Sequence, residues 1–164
     1  MRLKTLLSFL VVFALAAVAN AQTKVSGTLH CSKADPQYAI EVGGQPGHAF
    51  VINQAKCTPV KPFGFEGLQE EEQVYTTFYE VSGSRSHDQR YGVITMTNGD
   101  KCYVRSQGSA TVKNGVFENI EGKFSYAGGT GKLKGLKGKG TYKGTLAPDG
   151  TSTWELEGEY ELPK

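Results

Sequence analysis

The chain has 164 residues, a length typical of one domain. Its formal net charge is +2. The basic excess comes from Arg2 and Lys4, because the first 21 residues contain no acid and the rest of the chain is balanced. Nucleic-acid binding requires a net or clustered basic face. The charges of residues 22–164 are balanced, and in the lysine-rich run from Lys132 to Lys143 three of the five lysines are expected to face glutamates. We therefore expect no nucleic-acid partner.

The N-terminus has the pattern of a secretory signal peptide. A basic start precedes an apolar run over 6–18, and small residues follow at 19–21, where signal peptidase cleaves. The run is too short for a comfortable membrane span. We expect a signal peptide at 1–21, one domain at 22–164, a secreted or periplasmic location, and no membrane anchor after cleavage.

Short segments that alternate apolar and polar residues, or are rich in β-branched residues, follow along the chain. Strands are predicted at Lys24–Cys31, Gln37–Val42, His48–Gln54, Val74–Ser82, Tyr91–Thr97, Lys101–Val112, Val116–Tyr126, Lys137–Leu146 and Thr151–Leu162. Turn signals such as Asn98-Gly99 separate them. Residues 58–73 are predicted to be a long connection, and no window has a convincing helical period.

The last two predicted strands can be paired residue by residue. Pro148-Asp149-Gly150 is typical of a three-residue hairpin loop, so Ala147 should pair with Thr151. This register places lysines opposite glutamates and glycines opposite large aromatic residues. The predicted pairs are Lys143–Glu155, Lys139–Glu159, Lys137–Glu161, Tyr142–Leu156, Gly144–Trp154 and Gly138–Tyr160. Complementarity on both faces predicts a curved antiparallel sheet.

The preceding pair of strands is predicted in the same way. Treating 113–115 as a three-residue loop pairs Val104 with Phe124 and predicts a β-meander in the C-terminal half. About eight or nine antiparallel strands must close or stack to hide their edges. Glycines opposite aromatic residues favour closure. The predicted fold is therefore an all-β, single antiparallel barrel of about eight to nine strands.

The glycine-rich run from Tyr126 to Tyr142, Y-A-G-G-T-G-K-L-K-G-L-K-G-K-G-T-Y, resembles a late segment of the allene oxide cyclase and dirigent-type barrels. The whole of 22–164 also looks like small exported bacterial proteins of uncharacterised function that share such a barrel. The resemblance implies an allene-oxide-cyclase-like antiparallel barrel with an apolar cavity. The catalytic residues of those families have no identifiable counterpart in this sequence, so their activity is not carried over.

The same run does not match a phosphate-binding loop. Gly131-Lys132 is followed by Leu133, where a P-loop has Ser or Thr, and no helix is predicted after it. No cofactor is expected.

Three cysteines lie in 22–164, and an oxidising compartment favours one disulfide and one thiol. Cys102 falls beside Val104 on the apolar side of its strand, where a buried thiol is inert. The sequence therefore favours a Cys31–Cys57 disulfide.

A metal site is the alternative use of these cysteines. His30, Cys31, His48 and Cys57 could hold zinc, but no short Cys-x-x-Cys or His-x-x-x-His pair fixes two ligands locally. We therefore predict no metal.

The polar segment from Ser84 to Arg90 contains Ser86, His87 and Asp88. Hydrolytic triads assemble from separate elements around a preformed oxyanion hole, so adjacency argues against catalysis. The segment is predicted to be a solvated loop between two strands.

Four aromatic residues, Tyr126, Tyr142, Trp154 and Tyr160, share the predicted inner face with many glycines. Two interpretations remain open at this point. The aromatic residues fill the interior as a core, or they line a cavity that receives a small apolar or aromatic ligand.

Glu118 is the acid that the predicted register places on the inner face, near Ala110, and it is a weak candidate for a catalytic residue. A rim position is the preferred interpretation of it. Three functions remain open: a non-catalytic binder of a small molecule, which is preferred, an isomerase or cyclase acting in the cavity, and a structural envelope protein with a filled core. The sequence does not indicate the oligomeric state.

Overall fold

The computed structural model describes residues 22–61 and 64–163, so the predicted signal peptide lies outside the described residues. The strands are β1 (Thr23–Cys31), β2 (Gln37–Glu41), β3 (His48–Lys61), β4 (Gly64–Phe65), β5 (Leu68–Ser82), β6 (Arg85–Met96), β7 (Lys101–Lys113), β8 (Val116–Gly129), β9 (Lys137–Leu146) and β10 (Ser152–Glu161). A single 3-10 turn, Gly131–Leu133, accompanies them in this part of the chain.

Eight of these strands close a barrel. Their order is β3-β1-β10-β9-β8-β7-β6-β5, and pairing of β5 with β3 completes the ring. β2 pairs with β3, β4 pairs with β5, and all strand pairs among the described residues are antiparallel. The predicted all-β antiparallel barrel is therefore confirmed.

The β9–β10 hairpin has the predicted register. Ala147 N–H donates to the Thr151 carbonyl at 2.8 Å, and all the predicted pairs occur, including Gly144 opposite Trp154. A Cβ atom at position 144 would lie 2.3 Å from the indole ring. The glycine therefore provides the space that the indole occupies.

The turn between β7 and β8 is shorter than predicted. Lys113 pairs directly with Val116, so the loop contains two residues, Asn114 and Gly115. Both have left-handed φ angles, 53° and 77°. Asn-Gly is the preferred sequence for such a two-residue hairpin turn, and this preference outweighs the predicted three-residue loop.

β8 then contains a bulge that shifts the register again. Asn119 has a φ of 51°, and the pairing with β7 changes between Ser109 and Thr111. Val104 consequently lies opposite Tyr126 rather than the predicted Phe124. Because the total shift is two residues, the inner face of the central part of β7 is unchanged.

Two segments predicted as connections are largely strand. β3 extends to Lys61 and β5 begins at Leu68, so most of the predicted connection at 58–73 is paired. The predicted loop at 84–90 is also wrong, because Ser82 pairs with Arg85 and β6 begins there. The strand was missed because its inward-facing residues are polar rather than apolar.

One end of the barrel is filled by a plug, residues 64–68. Phe65 is fully buried and meets Tyr126 and Tyr160 edge to face, with ring centroids 5.3 and 5.0 Å apart. The Glu66 N–H donates to Tyr160 Oη at 3.2 Å. The buried residues that complete this end include Ile94, Met96, Cys102, Val104, Leu133 and Leu136. This end is a close-packed core.

The glycine-rich run closes the same end. The Asp100 carboxylate accepts the Lys132 N–H at 3.0 Å, and Leu133 and Leu136 are buried beneath the turn. At Gly131, a Cβ atom would collide with the Asp100 carboxylate. The run therefore has a structural role here as the anchor of a barrel end.

The predicted disulfide is confirmed and lies where the ring is weakest. Among the described residues, β1 and β3 pair over only Thr28–Cys31 and 57–61, with a register shift inside that span. Cys31 and Cys57 are directly opposite each other, bonded and buried. The disulfide therefore reinforces the shortest seam of the barrel.

Replacing Gly144 with alanine should destabilise the fold by about 1–3 kcal/mol, because the added methyl overlaps the Trp154 ring. Gly43→Ala is a matched control, since nothing lies within 4 Å of its Cβ position. Urea unfolding followed by circular dichroism measures both variants. Equal midpoints would contradict the packing described here.

Removing the disulfide by the double change Cys31→Ser and Cys57→Ser should cost about 3.5 kcal/mol at most, given its sequence separation of 26. The reason is the larger conformational freedom of the unfolded chain. Thermal unfolding with and without reductant provides the measurement and the control. Reductant should lower the midpoint of the parent protein and leave the double variant unchanged; a parent unaffected by full reduction would refute the role assigned to the bond.

Candidate functional site

The end of the barrel opposite the plug contains a cavity of about 360 Å³. Side chains from all eight barrel strands contribute to its wall, which is mainly apolar. The principal wall residues are Leu29, Tyr75, Phe117, Phe124, Tyr142, Trp154 and Leu156. A volume of this size is within the range of small-molecule sites.

An ion pair lies inside this cavity. Arg90 Nε and Nη2 donate to the two carboxylate oxygens of Asp88 at 2.8 and 3.1 Å. Both residues point inward because they are two positions apart on β6. The side chains of Asp88 and Arg90 are 8% and 14% exposed. Such a two-point contact holds the guanidinium in one orientation.

Tyr142 on β9 completes the polar group. Its hydroxyl donates to Asp88 Oδ2 at 3.2 Å. Asp88, Gly108, Gly122 and Tyr142 lie in one row across β6, β7, β8 and β9. A Cβ atom at Gly108 or Gly122 would fall 2.1 or 2.4 Å from Tyr142 Oη. Because these two residues are glycines, the Tyr142 phenol can lie along the inner surface of β8 and β7 and reach the carboxylate.

The Arg90 guanidinium also packs against aromatic rings. Its central carbon lies 4.2 Å from the Trp154 ring centroid and 5.0 Å from that of Tyr142. Trp154 is fixed in turn by a 2.8 Å hydrogen bond from Nε1 to Ser152 Oγ. Cation–π contact compensates part of the cost of burying the charge. The site therefore contains a preformed ion pair with no net charge, and aromatic rings pack against it.

The phenols of the site are neutral groups at physiological pH. Burial raises the pKa of Tyr142 well above its ordinary value; Arg90 lowers it in part and Asp88 raises it. Burial and the nearby Glu70 also raise the pKa of Tyr75, against a smaller lowering by Arg90. Such phenols donate hydrogen bonds but do not act as bases near neutrality.

The four aromatic residues singled out from the sequence lie in two places. Tyr142 and Trp154 line the cavity. Tyr126 and Tyr160 pack against Phe65 in the plugged end. Each of the two interpretations left open by the sequence describes one end of the barrel.

Glu118 does not lie on the inner face, so its predicted placement near Ala110 is wrong. It is exposed and opposite Thr111, whose hydroxyl donates to the Glu118 carbonyl at 3.0 Å. The bulge at Asn119 causes the difference, because one extra residue turns the start of β8 to the other face.

Asp88 and Arg90 were missed as site residues because their segment was predicted to be a loop. The available signal was the alternation of Ser86, Asp88 and Arg90 after the Gly83-Ser84 turn. Polar residues at every second position are typical of an exposed face. In a barrel with a cavity, the same pattern can describe a face that points inward.

Three of the four residues considered for a metal, namely Cys31, His48 and Cys57, make other contacts. Cys31 and Cys57 are joined in the disulfide, and His48 contacts Glu80 at 2.7 Å. Cys102 is a buried free thiol whose pKa is raised to about 12 by burial and by Glu70. A thiol with that pKa is not reactive near neutrality.

Comparison with known proteins identifies the fold. No family model and no curated protein matches the sequence. The structure is similar to the pterocarpan synthase dirigent protein GePTS1, with 13% identity, a TM-score of 0.52, and coverage of 98% of this chain and 100% of that one. It is similar to the pterocarpan synthase dirigent protein PsPTS1, with 15% identity, a TM-score of 0.52, and coverage of 88% and 97%.

A third similar structure is the conserved protein of unknown function RPA1785 from Rhodopseudomonas palustris. Identity is 7%, the TM-score is 0.51, and the alignment covers 85% of this chain and 98% of that one. At these identities the likeness concerns the fold alone. The resemblance to the dirigent and allene-oxide-cyclase-like barrel is thus confirmed at the level of fold.

Within 22–61 and 64–163, no helix has the length and apolar character needed to cross a membrane.

The disulfide bears on cellular location. The buried Cys31–Cys57 disulfide is typical of proteins outside the reducing cytoplasm.

The buried phenol of Tyr142 should make the fold sensitive to alkaline pH. A pKa raised in the folded state gives stability that is complete below the unfolded value of 10.0 and is lost as pH rises above it. Above about pH 10, the free energy of unfolding should fall with pH less steeply in Tyr142→Phe than in the parent protein, by about 1.4 kcal/mol per pH unit. Urea unfolding at several pH values measures the slope, with neutral pH as reference. An unchanged slope would contradict the burial of this phenol.

Proposed function

We propose that this chain is an exported protein whose barrel binds one small, neutral aromatic or apolar molecule without changing it. The observation that carries the proposal is the apolar cavity with the fixed Asp88–Arg90 pair inside it. Export is supported by the predicted signal peptide and by the buried disulfide.

The charge of the site favours a neutral ligand. Asp88 and Arg90 compensate each other, so a charged ligand would add an unpaired charge to a buried site, which is costly. Asp88 engages only part of the guanidinium's N–H donors. The remaining donors suit a single acceptor oxygen, such as a carbonyl or ether, and this would orient the ligand.

The shape of the site favours a ring. Trp154 and Tyr142 meet edge to face at 5.6 Å and form an aromatic corner beside the guanidinium. A flat ring can pack against this corner with its polar atom towards Arg90. Alanine and serine side chains elsewhere on the wall leave room for it.

An isomerase or cyclase is the second candidate. It is favoured by the fold shared with two proteins described as pterocarpan synthases, and by a carboxylate inside the cavity. Both Asp88 oxygens are already engaged by Arg90 and Tyr142, and the phenols stay neutral. A binding role needs none of these contacts to break, so we prefer it.

Acetophenone, a neutral ring with one carbonyl oxygen, is a suitable probe. The chain has one tryptophan, so quenching of its fluorescence reports on the cavity wall. We expect saturable quenching with protein purified from a periplasmic fraction, where the intact mass also reveals cleavage after Ala21. Ala55→Leu narrows the cavity and should weaken binding about tenfold or more.

Ala127→Leu is the matched control for this titration, because Ala127 is exposed and outside the cavity wall. Its affinity for acetophenone should equal that of the parent protein. Absence of saturable quenching, or equal affinities for the two leucine variants, would refute binding in the cavity. Conversion of the bound molecule would instead favour the enzymatic candidate.

A further inference from the structure

A group of large apolar side chains lies exposed on the outside of the barrel wall. Tyr38 is 65% exposed, Ile40 73%, Phe50 38%, Ile52 47% and Phe78 47%. We refer to these five residues as the outer patch. Scattered exposed apolar residues need no explanation, whereas a contiguous group marks an interaction surface.

The strand register makes the outer patch contiguous. On β2, β3 and β5, Tyr38 lies opposite Ile52 and Ile52 opposite Phe78, while Ile40 lies opposite Phe50. Phe50 and Phe78 are stacked, with ring centroids 5.8 Å apart and planes 12° from parallel. The inner faces of the same strands contribute Asn53 and Tyr79 to the cavity wall. The outer patch is therefore a second surface, separate from the ligand site.

Polar residues surround the outer patch. Gln54 and Thr76 lie on one side, where Gln54 Nε2 donates a hydrogen bond to Thr76 Oγ1 at 3.2 Å. Glu80 lies on the other side and is engaged by His48 at 2.7 Å. An apolar centre with a polar rim is the usual arrangement of a protein–protein interface.

We propose that the outer patch binds the same patch of a second copy of this chain, face to face, about a two-fold axis. Two sheets with apolar faces pack in this way, about 10 Å apart. A contact of one patch with itself closes a dimer and leaves no copy of the patch exposed.

The available area supports this occupant. From the exposed fractions, the outer patch offers roughly 500 Å² of surface, taking about 200 Å² for each full side chain. A stable interface buries about 800 Å² on each partner, of which about 60% is non-polar. The outer patch therefore matches the non-polar share of such an interface, and its polar rim would have to supply the rest of the area.

The charge of the surface supports it as well. Within the outer patch no residue is charged, and Glu80 at its rim is held by His48. Such a face offers little to select a strongly basic or acidic partner. An identical uncharged face is complementary to it by construction.

Sedimentation equilibrium of residues 22–164 over a range of concentrations tests the proposal. We expect twice the monomer mass, and a dimer dissociation constant raised about a hundredfold or more in Ile40→Lys and in Phe78→Ser. Val60→Lys is the matched control, since Val60 is 68% exposed but lies outside the outer patch. Its association should equal that of the parent protein.

Ala39→Pro distinguishes packing of faces from pairing of strand edges. Val42 N–H donates to the His48 carbonyl, so alternate residues of β2 bond to β3 and the Ala39 N–H points to the free edge. Proline there blocks a new strand pair without removing a bond to β3. The face-to-face dimer should persist in this variant.

Each contrary result would overturn the proposal. These are a monomer at all concentrations, a trimer, a dimer that survives both Ile40→Lys and Phe78→Ser, or a dimer that Ala39→Pro dissociates. Circular dichroism confirms that each variant is folded. Acetophenone titration of the folded variants keeps this test independent of the proposed ligand site.

Discussion

The hydrogen bond from Tyr142 to Asp88 is the contact on which the interior of this barrel depends. It joins β9 to β6 across two intervening strands, and it exists because both strands carry a glycine in that row. The cavity extends to both sides of this row, from Ser86 to Phe124, and the core around Phe65 lies further toward the plugged end. Phe124 contacts both regions, since it lines the cavity and meets Tyr126 edge to face.

The same contact explains why an arginine can be buried here. A buried guanidinium is costly unless it is paired with an opposite charge. Asp88 provides the pair, Tyr142 holds Asp88, and Trp154 covers the guanidinium. The chemistry of the cavity is therefore set by packing on several strands, and a neutral ligand is the kind that leaves this balance undisturbed.

The parts of the fold that could be predicted are those whose information is local. The β9–β10 hairpin followed from one loop and from complementary pairs such as Lys143 with Glu155. The β7–β8 register did not, because an Asn-Gly turn and a bulge at Asn119 each add a one-residue shift. The placement of Glu118 depended on that register. Asp88 and Arg90 were missed because inward-facing polar residues reverse the usual pattern of a buried strand.

The sequence did not show which inner aromatic residues pack in the core and which line the cavity, because this depends on a segment distant in the chain. Phe65 reaches the interior from a stretch expected to be a connection, and it fills the end occupied by Tyr126 and Tyr160. No comparable side chain enters beside Trp154 among the described residues, so that end stays open. Most of the largest fully buried side chains, among them Phe65, Met96 and Leu133, are thus at the plugged end. The open end is free to carry a binding site, at the modest cost that incomplete packing imposes.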